Sequence, residues 1–215
     1  MAKKSTLLFI VILFSVSFVN AQIKQGSFLL GGNLSFAHYN DKYETPGANT
    51  SSTSATIDVS AGKAIAENRV VGIHLIYSPM KSISQSGIRK QLRNLYGGGL
   101  FYRKYKNLSK DFYLFLGIAG DYYFSKNEYR DSLGNSLEVD KGNYGQLSLY
   151  PGLSYEIMKH LQLEVLLANL MNLNYNVTKT SNQGQHVRTA SSFSFNSSLN
   201  GGLANSLTIG FRLVF

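Results

Sequence analysis

The 215-residue sequence contains no cysteine and no tryptophan, and it has only three prolines. Without cysteine, neither a disulfide framework nor a thiolate-bound metal can form. No segment after residue 21 is long and apolar enough for a transmembrane helix, which needs about 20 apolar residues. Tyrosine and phenylalanine are frequent, at 14 and 13 residues. This aromatic content favours an all-β chain.

The first residues have the parts of a secretory signal peptide. Lys3 and Lys4 precede an apolar run over residues 7–19, and small residues follow up to Ala21. Because the run is shorter than a membrane anchor, we predict export with cleavage between Ala21 and Gln22. The expected organisation is a cleaved signal peptide at 1–21 and one folded domain at 22–215.

Apolar residues alternate with small or polar residues along much of the chain. Ile57 and Val59 lie in one such segment, and the last eight residues form another. Alternation with period two predicts strands that have one apolar face. The opposite face carries Asn, Ser, Thr, Gly and Gln, so a soluble sandwich or lipocalin-like barrel would have no apolar core. The pattern therefore favours a barrel whose apolar face contacts lipid.

Eight strands can be placed between polar segments. We expect them near residues 28–37, 54–62, 71–78, 92–105, 112–125, 143–157 and 162–177, with an eighth of unclear start that closes the chain. Long connections at 40–51, 79–91, 126–142 and after 177 alternate with short turns at 67–68, 107–111 and 159–160. Transmembrane barrels have long outer loops and short periplasmic turns. The predicted fold is an all-β, eight-stranded antiparallel up-and-down transmembrane β-barrel with both termini in the periplasm.

Three stretches resemble a known family. They are Gly-Leu-Phe-Tyr-Arg-Lys-Tyr at residues 99–105, Tyr-Pro-Gly-Leu-Ser-Tyr at 150–155, and the C-terminal strand. In these the chain resembles the small outer-membrane β-barrel domain proteins of Gram-negative bacteria, the OmpA/OmpX-like or porin-family barrels. The resemblance implies the fold and an outer-membrane location. Because the motifs belong to barrel architecture, they imply no activity.

The C-terminal strand also resembles the signal that the outer-membrane barrel-assembly machinery reads. It ends on the aromatic Phe215, with Leu213, Gly210 and Thr208 at fixed spacing before it. The resemblance implies that this machinery is a partner.

Basic residues are scattered along the chain, which has a formal net charge of +9. Without a Lys/Arg-rich block or a binding motif, nucleic acid is not an expected partner. Outer-membrane lipid and lipopolysaccharide are the expected partners, because basic loops and turns attract their anionic groups. The sequence names no extracellular ligand.

No pattern typical of catalysis or cofactor binding is found in the sequence. The four histidines, His38, His74, His160 and His186, lack metal-ligand spacing, and phosphate-binding and Gly-x-Ser-x-Gly motifs are missing. We expect no catalytic residue, cofactor or metal, and a structural, surface-interaction or envelope role. A passive small-solute channel is the alternative. A lipid-modifying barrel enzyme is a third possibility, because His38 and His186 lie among serines near the expected outer rim.

Strand parity places a set of charged or titratable side chains inside the barrel: Asp58, His74, Arg103, Asp121, Glu156, Glu164 and Arg212. Charges in a narrow interior should pair, since an unpaired one is costly to desolvate. We predict a four-member ion-pair network of Arg103, Glu156, Glu164 and Arg212 near the periplasmic end, which closes the lumen. A selectivity filter or gate is the alternative interpretation of these charges.

Overall fold

The computed structural model describes residues 23–41, 49–84, 89–131, 134–167, 170–182, 185–197 and 207–215. The predicted cleavage pair, Ala21 and Gln22, lies outside the described residues. The described strands are β1 (Phe28–Asp41), β2 (Thr50–Ala66), β3 (Arg69–Ser84), β4 (Arg89–Asn107), β5 (Phe112–Arg130), β6 (Ser136–Met158), β7 (Leu161–Leu167), β8 (Met171–Asn182), β9 (Gln185–Ser197) and β10 (Leu207–Val214). No helix capable of crossing a membrane occurs in these ranges.

Eight of the strands pair in a closed ring. Strands β1 to β7 pair antiparallel in chain order, and β10 pairs with both β7 and β1. At the closure, Leu29 pairs with Val214 and Leu34 pairs with Ile209. The prediction of an all-β, antiparallel sheet is confirmed.

The seventh strand predicted from the sequence is divided in the structure. The 23-residue strand β6 pairs with β7 over residues 152–158 and with β8 over residues 138–149. Strand β9 then pairs with β8. The break falls beside Pro151 of β6, which has no N–H to donate to a neighbouring strand. The prediction of a continuous seventh strand over 162–177 was therefore wrong.

Two segments predicted as loops are largely strand. Strand β3 continues to Ser84 and β4 begins at Arg89, inside the loop predicted at 79–91. In the same way, only residues 131–135 separate β5 from β6 in the loop predicted at 126–142. The prediction used polarity as the sign of a loop. A strand that meets water on both faces can be polar and still pair through its backbone.

Strand β5 shows how side chains are oriented in the ring. Its residues alternate between exposed and buried from Phe112 to Ser125. The exposed positions are apolar, including Leu116 and Ile118, whereas Asp121 is buried. Other strands expose apolar side chains on the same outer face, among them Leu30, Ile57, Ile73, Leu100, Leu153, Ile209 and Phe211. The predicted alternation is confirmed: the outer face is apolar, and the side chains between the outward residues point into the ring.

A buried apolar core fills one end of the ring. This end, called the turn end, holds the short turns 67–68, 108–111 and 159–160; the opposite end is the loop end. The core contains Ile23, Leu29, Ala64, Val70, Phe101, Tyr105, Tyr113, Phe115, Ala119, Tyr150 and Leu166. The sequence analysis expected no apolar core from the inward-facing residues, and it was wrong here, because large apolar side chains occupy inward positions near the turns.

Candidate functional site inside the ring

Three of the charged side chains predicted inside the ring form one ion-paired group. Glu164 of β7 lies between Arg103 of β4 and Arg212 of β10. The Arg212 Nε donates to Glu164 Oε1 at 2.7 Å, and its Nη2 donates to Oε2 at 2.9 Å. The Arg103 Nη1 donates to the same Oε2 at 2.9 Å. The two-point contact with Arg212 is the geometry in which arginine binds a carboxylate most strongly.

Two tyrosines complete this group. The Tyr105 hydroxyl donates to Glu164 Oε1 at 3.3 Å, and Arg103 Nε donates to the Tyr150 hydroxyl at 3.2 Å. We call Arg103, Tyr105, Tyr150, Glu164 and Arg212 the arginine cluster. Its charged members are sealed from solvent, with exposed fractions of 0% for Glu164, 1% for Arg212 and 4% for Arg103.

The arginine cluster has two positive groups and one negative group, so it carries an excess positive charge. Aromatic rings surround the guanidinium of Arg103: its Cζ lies 4.8 Å from the ring centre of Phe115, 5.2 Å from that of Phe101 and 5.4 Å from that of Tyr150. The negative faces of aromatic rings attract cations, and more so away from water. The rings therefore stabilise the charge that Glu164 leaves unbalanced.

Glu156 does not join the arginine cluster, which corrects the predicted four-member network. Within the described residues it forms no ion pair with Arg103 or Arg212. Its partner in β7 is Gln162, and Gln162 accepts a hydrogen bond from Ser154 at 3.0 Å. Glu156 faces inward as predicted, but it lies nearer the turn than Glu164. Strand parity gives the face of a residue and does not give its height in the ring.

The other predicted interior charges form a second group nearer the loop end. His74 Nε2 lies 2.6 Å from Asp121 Oδ1, and His74 Nδ1 lies 3.4 Å from Asp58 Oδ1. Asn33 Nδ2 donates to Asp58 at 3.2 Å, and the Tyr123 hydroxyl donates to Asp121 at 2.9 Å. We call these five residues the histidine cluster. An imidazole can donate to a carboxylate from each nitrogen only when it is protonated.

A polar cavity of about 550 Å³ lies between the arginine cluster and the loop end. The histidine cluster lines one side. Amide and hydroxyl side chains line the opposite side: Gln146, Ser148, Asn174, Asn176, Ser192 and Ser194. Arg103, Tyr150 and Leu166 form its floor, and all three are buried. The cavity is therefore blind towards the turn end.

The residues of the predicted assembly signal lie in or next to β10. Thr208 lines the cavity, and Gly210 is buried opposite Asn33. Leu213 and Phe215 are exposed on the outer face. The backbone of Phe215 exchanges two hydrogen bonds with Phe28, which joins the last residue to the start of β1.

His38 and His186, considered for an enzymatic site, contact threonine side chains. His38 contacts Thr53 at 2.9 Å and His186 contacts Thr189 at 3.2 Å. Neither histidine takes part in a salt bridge among the described residues. The described part of the chain also contains no group of three or more side chains suited to hold a metal ion. Within the described residues, neither His38 nor His186 forms the salt bridge to an orienting carboxylate that a base for a nucleophilic serine requires.

Sequence reasoning missed the two tyrosines of the arginine cluster. Tyr105 is two residues from Arg103 on the same inward face, and Tyr150 precedes Pro151. Both positions could have been found by parity alone. Their contacts with Arg103 and Glu164 depend on the registers of β4, β6 and β7, which the sequence does not show.

Comparisons with known proteins give the following. No protein-family model matches the chain, and no relative is found among curated proteins. One similar solved structure is a major outer membrane protein from Thermus thermophilus, with 12% identity, a TM-score of 0.47, and 91% of this chain and 100% of that chain covered. Another is the translocator domain of the autotransporter NalP from Neisseria meningitidis, with 11% identity, a TM-score of 0.45, and coverages of 100% and 96%.

Proposed function

We propose that the chain is an OmpA/OmpX-like, eight-stranded transmembrane β-barrel of the outer membrane. Its role in this proposal is structural or in surface interaction, and it is not catalytic. The observation that carries the proposal is the inverted polarity of the ring. The ion-paired Arg103, Glu164 and Arg212 are buried, while apolar side chains cover the outer face. Water would disfavour this arrangement, but lipid favours it, and a closed ring satisfies the backbone groups there.

The height of the apolar outer face fits a bilayer. On β5 the outward residues are apolar or aromatic from Phe112 to Phe124, apart from Gly120, and Lys126 follows. With a rise of about 3.4 Å per residue and a tilt of about 40°, this segment spans about 30 Å. That is about the thickness of the hydrocarbon core. Phe112 and Phe124 would then stand at the two interfaces, where transmembrane barrels carry aromatic girdles.

The turn end would be closed to solutes. Its apolar core and the arginine cluster occupy the interior, and eight strands leave a section that side chains can fill. This favours a closed barrel over a passive small-solute channel.

The remaining parts of the proposal concern orientation and partners. The turn end, with Ile23 and Phe215, would face the periplasm, and the longer loops would face outward. The assembly machinery would read β10 through Thr208, Gly210, Leu213 and Phe215. Lipopolysaccharide would meet basic side chains beyond the apolar band, such as Lys126. Cleavage between Ala21 and Gln22 would precede assembly.

The experiment that tests the proposal compares two arginine substitutions in the expressed protein. Ile118 lies near the middle of the apolar band, and Leu137 is an exposed residue of β6 outside it. Ile118→Arg should disfavour insertion by about 2–4 kcal/mol, whereas Leu137→Arg should cost about 0–1 kcal/mol. The readouts are outer-membrane fractionation and the heat-dependent shift in gel mobility.

Wild-type protein should fractionate with lipopolysaccharide and lose its shifted mobility on boiling. A soluble periplasmic protein, or equal effects of both substitutions, would contradict the barrel. Planar-bilayer recordings test the closed turn end separately. We expect no sustained ohmic openings, and such openings would favour the channel.

A further inference from the structure

The polar cavity has two chemically different walls. Strands β6, β8 and β9 contribute uncharged amide and hydroxyl groups, including Gln146, Asn174, Asn176 and Ser192. Several of these are held in place by each other: Asn176 Nδ2 donates to Ser192 Oγ at 3.0 Å, and Asn174 Nδ2 donates to Asn172 at 2.8 Å. This wall presents ordered groups that both donate and accept hydrogen bonds.

The charged groups of the cavity are balanced among themselves. Asp58 and Asp121 face His74, and Arg93 of β4 also lines the cavity, with its Cζ 5.8 Å from the ring centre of Tyr144. With His74 protonated, two negative groups are balanced by two positive ones. The excess positive charge of the arginine cluster is buried in the floor, where aromatic rings surround the Arg103 guanidinium. Among the groups above the floor, an ion of either sign would therefore meet no matching excess charge.

The size and access of the cavity suit a small molecule. A volume of about 550 Å³ falls within the range of about 300–1,000 Å³ that is usual for small-ligand sites. Ser192 and Ser194 in its wall are solvent-exposed, so the cavity opens beside β9. Because the floor is sealed, a molecule must enter and leave the cavity through the same opening.

We propose that this cavity binds a small neutral polyhydroxylated molecule, a mono- or disaccharide, from the loop side. The inference rests on the proposed barrel with a closed turn end. A sugar hydroxyl both donates and accepts hydrogen bonds, as do the amides of Asn174 and Asn176. The rings of Tyr123 and Tyr144, which also line the cavity, offer apolar faces for the C–H surface of a sugar ring.

Two substitutions on β9 give a matched test. Ser192 faces the cavity, and its neighbour Ser191 is exposed on the opposite face of the strand. Ser192→Phe places a ring in the cavity and should weaken sugar binding at least tenfold. Ser191→Phe adds the same ring outside and should leave binding within twofold of wild type.

Binding is measured by saturation-transfer NMR with D-glucose, maltose and maltotriose. The refolded full chain is held in lauryldimethylamine oxide, because a glucoside or maltoside detergent would itself compete. We expect saturable binding of glucose or maltose and weaker binding of the longer maltotriose. Asn174→Ala should weaken maltose binding about three- to tenfold, the usual effect of one lost hydrogen bond.

Charged analogues test the predicted neutrality. Gluconate and glucosamine should both bind more weakly than glucose. Tighter binding of either one, equal binding by the two phenylalanine variants, or no saturable binding of any neutral sugar would overturn the inference. If wild-type protein shows heat-dependent mobility and closed bilayer recordings but binds no sugar, this inference fails while the barrel proposal stands.

A further arm identifies the source of the sugar. Displacement of maltose by lipopolysaccharide with its sugar chain, but not by lipid A, would support the inference with a membrane glycolipid as the source. Binding of free maltose that neither displaces would support it with a soluble sugar.

Discussion

Charged groups in the two halves of the ring interior differ in their exposure to solvent. At the turn end, the arginine cluster is sealed by aromatic rings and an apolar core, and Glu164 has no exposed surface. Towards the loop end, the histidine cluster borders a cavity, and the side chain of Asp58 keeps 20% of its exposure. Water can replace a lost partner in the second half but not in the first. Similar ion pairs should therefore have very different effects on stability.

The largest effect is expected from Glu164→Ala. The substitution leaves Arg103 and Arg212 buried without a carboxylate, and removing one partner of a buried ion pair costs about 3–5 kcal/mol. We expect the free energy of unfolding, measured by urea titration in detergent micelles, to fall by that amount.

Glu156→Ala is the control for this loss. Glu156 is half-buried and lacks an ion pair with either arginine in the described structure, so its loss should cost less than about 1 kcal/mol. The effects of Glu156→Ala and Arg212→Ala should add within about 0.5 kcal/mol. A strong coupling between them would restore the four-member network predicted from the sequence.

The next largest loss of stability should distinguish a crowded glycine from an open one on strand β6. A Cβ at Gly152 of β6 would run into the ring of Phe115, whereas a Cβ at Gly145 of the same strand meets nothing within 4 Å. Gly152→Ala should therefore destabilise by about 1–3 kcal/mol, as overpacking of a dense interior does. Gly145→Ala should be close to neutral. If thermal unfolding in micelles shows equal losses, the turn end is not packed as described.

A smaller effect is expected from His74→Gln. Asp121 keeps its hydrogen bond from Tyr123, and Asp58 keeps that from Asn33, so the loss should be about 1 kcal/mol. It should stay well below the loss for Glu164→Ala in the same urea titration. Equal losses would remove the contrast between the two halves.

The smallest effect concerns the outward face beyond the apolar band. Hydrogen bonds from Lys126 and then from Arg130 lower the pKa of the Glu128 carboxyl from its usual 4.5. The stability gained from this lowered pKa is present above the unfolded value and is lost as pH falls through the folded one. Because exposed pairs are screened, it should amount to less than about 0.5 kcal/mol.

Unfolding midpoints measured between pH 6 and pH 3 should therefore differ little between wild type and Glu128→Gln. Any difference should narrow at the acidic end. If wild type instead gained stability relative to Glu128→Gln as pH falls, the pKa of Glu128 would be raised in the folded state.

Period-two alternation was sufficient to assign the inner and outer faces. It placed Ile57 and Val59 on the apolar outer face and Asp121 inside, and the structure agrees. The reason is physical: side chains of a strand must alternate, and a one-residue slip would reverse every one of them.

Heights and contacts inside the ring could not be predicted in the same way. Glu156 and Glu164 both face inward, yet only Glu164 reaches Arg103. The difference depends on how β6 and β7 are staggered, with Ser154 opposite Glu164. That stagger depends on the whole ring and on the register shift between Glu156 and Met158. The local sequence pattern does not indicate this register shift.

The seam between β1 and β10 has a consequence for how the chain folds. Most strands pair with a neighbour in the sequence, so these hairpins can form early through short loops. The seam joins residues 29–34 to residues 209–214. Bringing such distant segments together costs the most chain entropy, and the stabilising contacts form only after that cost has been met. The ion pair of Glu164 with Arg212 does not need this step, because β10 also pairs with β7. Closure of the seam should then be the slowest event, and a chain in which β10 has paired only with β7 would already hold Glu164 with Arg212.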